Sequence, residues 1–260
     1  MMKRISRTFI LFLAGILLYT TAMYGYVWFQ TRPATALTPV SALTSYDKRP
    51  ALHLIHAVND IRRAQVKEKS FDGVEIDINH FNGQLVAAHD HPNEKSPLLT
   101  DILAALTEPE KKTFWLDVKT TLTQDDMIQF KQIAQQFHIH PRRMLFEVKG
   151  GAIADLLTAN GFPILLQIPS HFNKDHHDPQ LRRELNAELE DLLRQYHPFA
   201  IAASLGKYPY LKTYFPHYNK AIYSSTTKRP SLKKYFLTRA MRQDPHVLVW
   251  MQDEYTALPF

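Results

Sequence analysis

The chain has no cysteine. No disulfide can staple it and no thiolate can hold a metal, while the absence fits any compartment. Glycine is scarce, at 8 of 260 residues, and no G-x-G-x-x-G or G-x-x-x-x-G-K run follows a strand-like stretch. The backbone cradle of the common nucleotide sites is therefore missing. No internal repeat or low-complexity tract occurs. Acidic residues are absent from Leu205 to Arg242, where nine Lys or Arg stand among tyrosines and phenylalanines. Net charge over the whole chain is +6, a mild preference for anionic partners.

Charge of either sign is also missing from Thr8 to Phe29. As a helix, that run is long enough to span a bilayer core. Lys3, Arg4 and Arg7 precede it, which places residues 1–7 as a basic cytoplasmic tail and the remainder outside. We expect a transmembrane signal-anchor over residues 8–29 and an extracytoplasmic domain, periplasmic or extracellular. Ala34-Thr35-Ala36 has the small-residue pattern of a cleavage site, so a removed signal peptide is the competing expectation. Residues 30–48, with two prolines and several Thr and Ser, read as a linker. Residues 49–260 then form one domain, of a size that suits a barrel.

Within that domain, strand-like and amphipathic stretches alternate. The strand candidates are Leu52–Val58, Gly73–Ile78, Thr113–Val118, Met144–Val148, Pro163–Ile168, Ala200–Leu205, Lys220–Ser225 and Val247–Gln252. Thr123 is placed to cap a helix over Asp125–Phe137, and Leu185, Leu189, Leu192 and Leu193 line one face of a helix over Leu181–Tyr196. Eight strands with helical crossovers predict an α/β fold, a (β/α)8 TIM barrel, with an open doubly wound sheet as the alternative. Few residues follow the last strand, so the closing helix of a barrel is expected to be missing or reduced.

The chemistry concentrates between Leu52 and Lys119. Glu75 and Asp77 interrupt an apolar strand, where a carboxylate is costly unless a cation or donor satisfies it. Residues i and i+2 of a strand share a face, so both acids can point at one ion. Asp117 and Lys119 repeat that spacing on the next strand. His56 ends the first strand, with Asn59 just beyond, and the chain delivers His89 and Asp90 after an Asn82-Gly83 turn signal. Three carboxylates without cysteine make a hard oxygen site, suited to one Mg2+ or Ca2+. Two imidazoles titrate near working pH and suit a general base and a general acid. A metal, a lysine and two histidines are what cleavage of a phosphodiester requires. Glu147 and Lys149 are either an ion pair or part of the pocket. His80 and His91 read as structural, and His176-His177 as a solvated loop.

The string His56-Ala57-Val58-Asn59, then Glu75-Ile76-Asp77, then His89-Asp90, then Leu116-Asp117-Val118-Lys119 resembles the PLC-like phosphodiesterase superfamily. It is similar to the glycerophosphodiester phosphodiesterases in the order of its motifs and to the sphingomyelinase D family in His-x-x-Asn and Asp-x-Lys. Its nearest pattern is that of the menorin family, with His-Ala-Val-Asn and the His-Pro segment near Pro92. The resemblance implies a catalytic pair His56 and His89, metal ligands Glu75, Asp77 and Asp117, a phosphate-contacting Lys119, and substrate contacts from Asn59 and Trp250. One departure is plain: the Arg-Gly that follows the first histidine in glycerophosphodiesterases is Ala57-Val58 here.

Three functions are consistent with these residues. The first is a membrane-anchored, metal-dependent phosphodiesterase acting on a phospholipid or lipid-derived phosphodiester, by hydrolysis or through a cyclic phosphate. The second is a non-catalytic, menorin-like binding domain that keeps the barrel. The third, a glycosidase, is the weakest, because Glu75 and Asp77 are too close for an acid and nucleophile pair. The basic, aromatic stretch suggests an anionic membrane surface as a partner; no nucleic acid is expected outside the cytoplasm.

Overall fold

Runs of β-branched and aromatic residues become strands when both of their faces can be buried. The computed structural model describes residues 7–31, 51–67, 70–173, 179–224 and 232–252. Most of the basic tail and of the linker, and the His176-His177 loop, lie outside these. The described strands are β1 (Leu52–Ile55), β2 (Gly73–Phe81), β3 (Gln84–Ala87), β4 (Thr113–Val118), β5 (Met144–Val148), β6 (Ile164–Gln167), β7 (Ala200–Ser204), β8 (Lys220–Ser224) and β9 (Val247–Gln252). The helices are α1 (Arg7–Thr31), α2 (Ile61–Lys67), α3 (Leu99–Ala105), α4 (Gln124–Gln136), α5 (Ala152–Ala159), α6 (Pro179–Tyr196), α7 (Tyr208–Tyr214) and α8 (Leu232–Arg242).

The sheet order is β1-β9-β8-β7-β6-β5-β4-β2-β3, and β1 also pairs with β2. That second pairing closes eight parallel strands into a barrel of the TIM type, as expected. β3 is extra. It folds back antiparallel on the overlong β2 through Asn82 and Gly83. Both residues have positive φ, at 51° and 75°, which a two-residue hairpin turn of this twist demands.

Alternation along each strand divides the core in two. Leu54, Trp115, Leu145, Leu165, Ala200, Ala202, Ala221, Val249 and Met251 fill the barrel. Residues of the other parity, such as Ile76, Phe114 and Phe146, meet the helices, where Phe130 of α4 packs edge-on against Phe146. Thr123 caps α4 as predicted: its backbone N–H and its hydroxyl both donate to the Asp126 carboxylate, at 2.6 and 2.7 Å. The same carboxylate lies 2.6 Å from His80 Nε2, which ties the tip of the β2–β3 hairpin to the start of α4.

Among the described residues no helix follows β9. The outer seam between β9 and β1 is covered instead by a stack of side chains. Trp250 lies flat on His53, with ring centroids 3.8 Å apart and planes within 5°. Phe71 meets the same imidazole at 4.6 Å, and the Arg242 guanidinium stands 5.5 Å from the Trp250 ring. This corrects the expectation that Trp250 lines the substrate pocket. Val249 and Met251 take the interior positions of β9, so the residue between them faces outward.

α1 covers the apolar run, yet among the described residues no helix is long and apolar enough to cross a membrane. Val27 of α1 is buried and Thr20 and Met23 are half-buried. Tyr24 meets Phe236 of α8 edge-on at 6.0 Å, and the Lys233 ammonium stands 5.2 Å from the Tyr26 ring.

Candidate active site

Helices return the chain from the C-terminal ends of the strands, so the loops at those ends form one rim, the face at which barrels carry their sites. Interior parity places Glu75, Asp77, Asp117, Glu147, Gln167 and Tyr223 at or near that rim. Glu75 and Asp77 are each 2% exposed. Oxygens of Glu75, Asp77 and Asp117 lie within 4.8 Å of one another. The trio foreseen from spacing alone is thus brought to one point, by β2 and its neighbour β4.

The surroundings answer the cost of burying so much negative charge. Ala57 N–H donates to a Glu75 carboxylate oxygen at 2.5 Å. Ala57 does so from a left-handed backbone, φ 57°, a sparsely populated conformation for a residue with a Cβ. Lys119 lies 2.5 Å from Asp117 and 3.1 Å from Asp77. Burial works against the charge of Lys119, but Asp117 and Asp77 outweigh it and hold the ammonium above its ordinary range. Burial, joined by the Asp77 charge, pushes the Glu75 carboxyl well above the usual carboxylate range. Burial also raises Asp117, against the pull of Lys119. Acids lifted in this way gain from a cation placed among them, and an all-oxygen donor set fits Mg2+ or Ca2+.

Asn59 is engaged with the acids. Its Nδ2 donates to Asp77 Oδ2 at 2.5 Å, and its Oδ1 accepts from Asp77 N–H at 3.0 Å. Both ends of the amide meet the acid. Asn59 therefore orients the Asp77 carboxylate, with one Nδ2 hydrogen left over for a further contact.

His56 reaches the rim directly after β1, its Nε2 3.8 Å from a Glu75 oxygen. Its backbone carbonyl accepts from Arg63 of α2 at 2.8 Å, which steadies the turn. His89 comes from the loop after β3. Ala88 N–H donates to the Asp77 carbonyl at 3.0 Å, and Asn79 Nδ2 to the Asp90 carbonyl at 3.3 Å, so this loop is pinned beside the end of β2. His89 Nδ1 pairs with Asp90 at 2.9 Å and lies close enough to Asp117 to be felt as charge. Its side chain remains 62% exposed, open to an incoming ligand.

Two further residues belong to the site. Glu147, 4% exposed, accepts from Trp115 Nε1 at 2.7 Å. Burial, then the Asp117 charge, pushes its carboxyl up to about 8. Tyr223 stands edge-on to Trp115 at 6.4 Å, and burial followed by the Glu147 charge raises its phenol. The sequence leaves Glu147 between an ion pair and the pocket, and it does not point to Tyr223 among the polar residues that end its strand. Ser224 has the outward parity, and Ser225 lies outside the described residues. The signal available was the small Ala221 two residues before, since a strand that puts alanine into a barrel leaves room for a large neighbour above it.

No family model matches the chain, and no curated protein matches its sequence. Solved structures do match its fold. A glycerophosphodiester phosphodiesterase from Parabacteroides distasonis shares it at 13% identity and a TM-score of 0.52, over 78% of this chain and 93% of that one. A phosphodiesterase from Oleispira antarctica, solved with its product sn-glycerol-3-phosphate, shares it at 12% identity and a TM-score of 0.54, again over 78% and 93%. At such identities the likeness is one of fold: a closed parallel barrel of the kind these phosphodiesterases use.

Proposed function

We propose that this protein is a metal-dependent phosphodiesterase, of glycerophosphodiesterase or phospholipase-D-like type, held at a membrane by α1 and acting on a lipid-derived phosphodiester. The observation that carries the reading is the meeting of Glu75, Asp77 and Asp117 within 4.8 Å, with Lys119 against two of them. The phosphodiesterase identity of the two fold neighbours supports it.

Glu75, Asp77 and Asp117 would hold one Mg2+ or Ca2+, which when bound draws charge from a phosphoryl oxygen. The chain's own groups do the rest. Lys119 offers an ammonium to the equatorial oxygens of the phosphate. One of His56 and His89 takes the proton of the attacking hydroxyl, and the other returns a proton to the leaving oxygen. Asp90 orients the ring of His89, and Asn59 keeps Asp77 turned to the cation. The attacking hydroxyl is that of water, or that of the substrate itself if a cyclic phosphate forms.

The full-length chain in detergent should cleave bis(p-nitrophenyl) phosphate and a glycerophosphodiester. EDTA should abolish turnover, and Mg2+ or Ca2+ should restore it. His56→Ala or His89→Ala should each lower kcat by about 10²–10⁴-fold with an unchanged circular dichroism spectrum. No turnover with any divalent cation, together with no metal-induced rise in melting temperature, would leave the binding domain as the reading.

A further inference from the structure

Nine of the twelve exposed large apolar side chains among the described residues belong to one element, α1. They divide along its length. Phe12, Leu13, Ile16, Leu17 and Leu18 are mostly aliphatic and occupy the first half, whereas Tyr19, Tyr24, Tyr26 and Trp28 occupy the second. From Phe12 to Tyr19 every side chain is exposed; among the described side chains of α1 only Thr20, Met23 and Val27, one stripe at helical spacing, turn toward the barrel. The stretch from Phe12 to Leu18 therefore stands clear of the barrel and is apolar all round, a composition that water does not tolerate. The helix against which the second half docks, α8, carries Lys233, Lys234, Arg239 and Arg242 and no acid. The aliphatic stretch suits hydrocarbon, Tyr19 at its end suits the interface, and Arg239 and Arg242 in the last turn of α8 suit anionic headgroups.

The docking also has a direction. α8 follows β8, so it runs from the rim that carries the active site down to the opposite end of the barrel. Tyr26 meets Lys233 in the first turn of α8, and Tyr24 meets Phe236 one turn lower. The half-buried Met23 and Thr20 continue the stripe in that sense. α1 is thus antiparallel to α8, and its free apolar half leaves the barrel at the end away from the rim.

We infer that the bilayer lies on the side of the N-terminal strand ends, with the α7–α8 edge against anionic headgroups, and that the active-site rim opens away from the membrane. The rim is then separated from the lower end by the length of α8, about 16 Å. An acylated phospholipid in the same bilayer cannot reach such a rim without leaving the membrane. Resting on the phosphodiesterase reading above, this names the substrate class as a water-soluble, deacylated phosphodiester.

The absence of cysteine makes the test direct. Single-cysteine variants of the full chain are labelled with an environment-sensitive fluorophore and reconstituted in vesicles of phosphatidylcholine and phosphatidylglycerol that carry nitroxide lipids. Leu17→Cys marks the free half of α1, and Gln243→Cys the exposed end just past α8. Gly206→Cys marks the rim, where a Cβ meets only the Ser204 hydroxyl at 3.9 Å. Quenching should fall in the order Leu17, Gln243, Gly206. In the same vesicles a glycerophosphodiester added to the water should be cleaved more than an order of magnitude faster than intact phospholipid. Quenching at Gly206 equal to or above that at Gln243 overturns the orientation. So does an unquenched Leu17 that cross-links to a second copy, which would make α1 a dimer contact. Preferential cleavage of intact phospholipid overturns the substrate class. The quenching order is read without turnover, so an inactive protein would strike the enzymatic reading and leave the orientation judged by itself.

Discussion

A carboxylate in the middle of an apolar strand is an anomaly that a sequence displays openly, and Glu75, Asp77 and Asp117 were legible for that reason. Lys119 was legible through its spacing from Asp117. Trp250 and Tyr223 were not. Strands buried on both faces are apolar along most of their length, so VLVWMQ carries no mark of which residues point inward, and in KAIYS the small Ala221 is the single hint. The grip of Asn59 on Asp77 was not legible either, because the path to it runs through the left-handed turn at Ala57, which no residue type announces. At the centre of the barrel Trp115 joins packing to the site: fully buried, it fills the interior and donates its indole N–H to Glu147. Trp115→Phe keeps most of the apolar volume and deletes that donor. Leaving a buried carboxyl short of a partner should cost about 1–3 kcal/mol in urea unfolding. Trp115→Phe with stability equal to that of the parent would mean that the remaining donor, Gln167, satisfies Glu147 by itself.

Glycine has unequal meaning from one element to the next. At the first position of β2, a Cβ on Gly73 would fall 1.8 Å from the carbonyl oxygen of Thr113 on β4. The obstacle is backbone, and the β2–β4 pairing that joins Asp77 to Asp117 cannot yield without opening the barrel. At the hairpin, Gly83 has open space around it and only its φ of 75° resists a side chain. Gly83→Ala should therefore fold and lose about 1 kcal/mol. Gly73→Ala should give no soluble, cooperatively melting protein. A Gly73→Ala variant that melts within a few degrees of the parent would show that β2 and β4 can separate at that end. The eight barrel strands were readable from their apolar runs, whereas β3 was visible only as a turn signal. Its four residues take their strand character from pairing with β2, and isolated propensity does not specify that.

For the molecule as a whole, the seam between β9 and β1 is where the ring of strands closes, and the described chain supplies side chains there in place of a helix. His53 is the middle of that stack. Burial lowers its imidazole to about 4, outweighing the opposing Asp72 charge. A base held below its unfolded value of 6.5 binds fewer protons in the native state than in the unfolded chain between those two pH values. Stability tied to neutral His53 is therefore present above pH 6.5 and is lost as pH falls toward 4, by about 1–2 kcal/mol once the ring's partial exposure is allowed for. His53→Phe keeps an aromatic face on Trp250 and has no proton to bind. The check is thermal melting of parent and variant from pH 7.5 down to about 4.5, within reach of ordinary buffers. Carboxylates elsewhere bend both curves alike, so the difference between the curves isolates the seam. That difference should be small at neutral pH and should move in favour of His53→Phe as the buffer is acidified. Parallel curves would show that the ring protonates without disturbing the closure, and the stack would then be a cover on the barrel with no part in holding it shut.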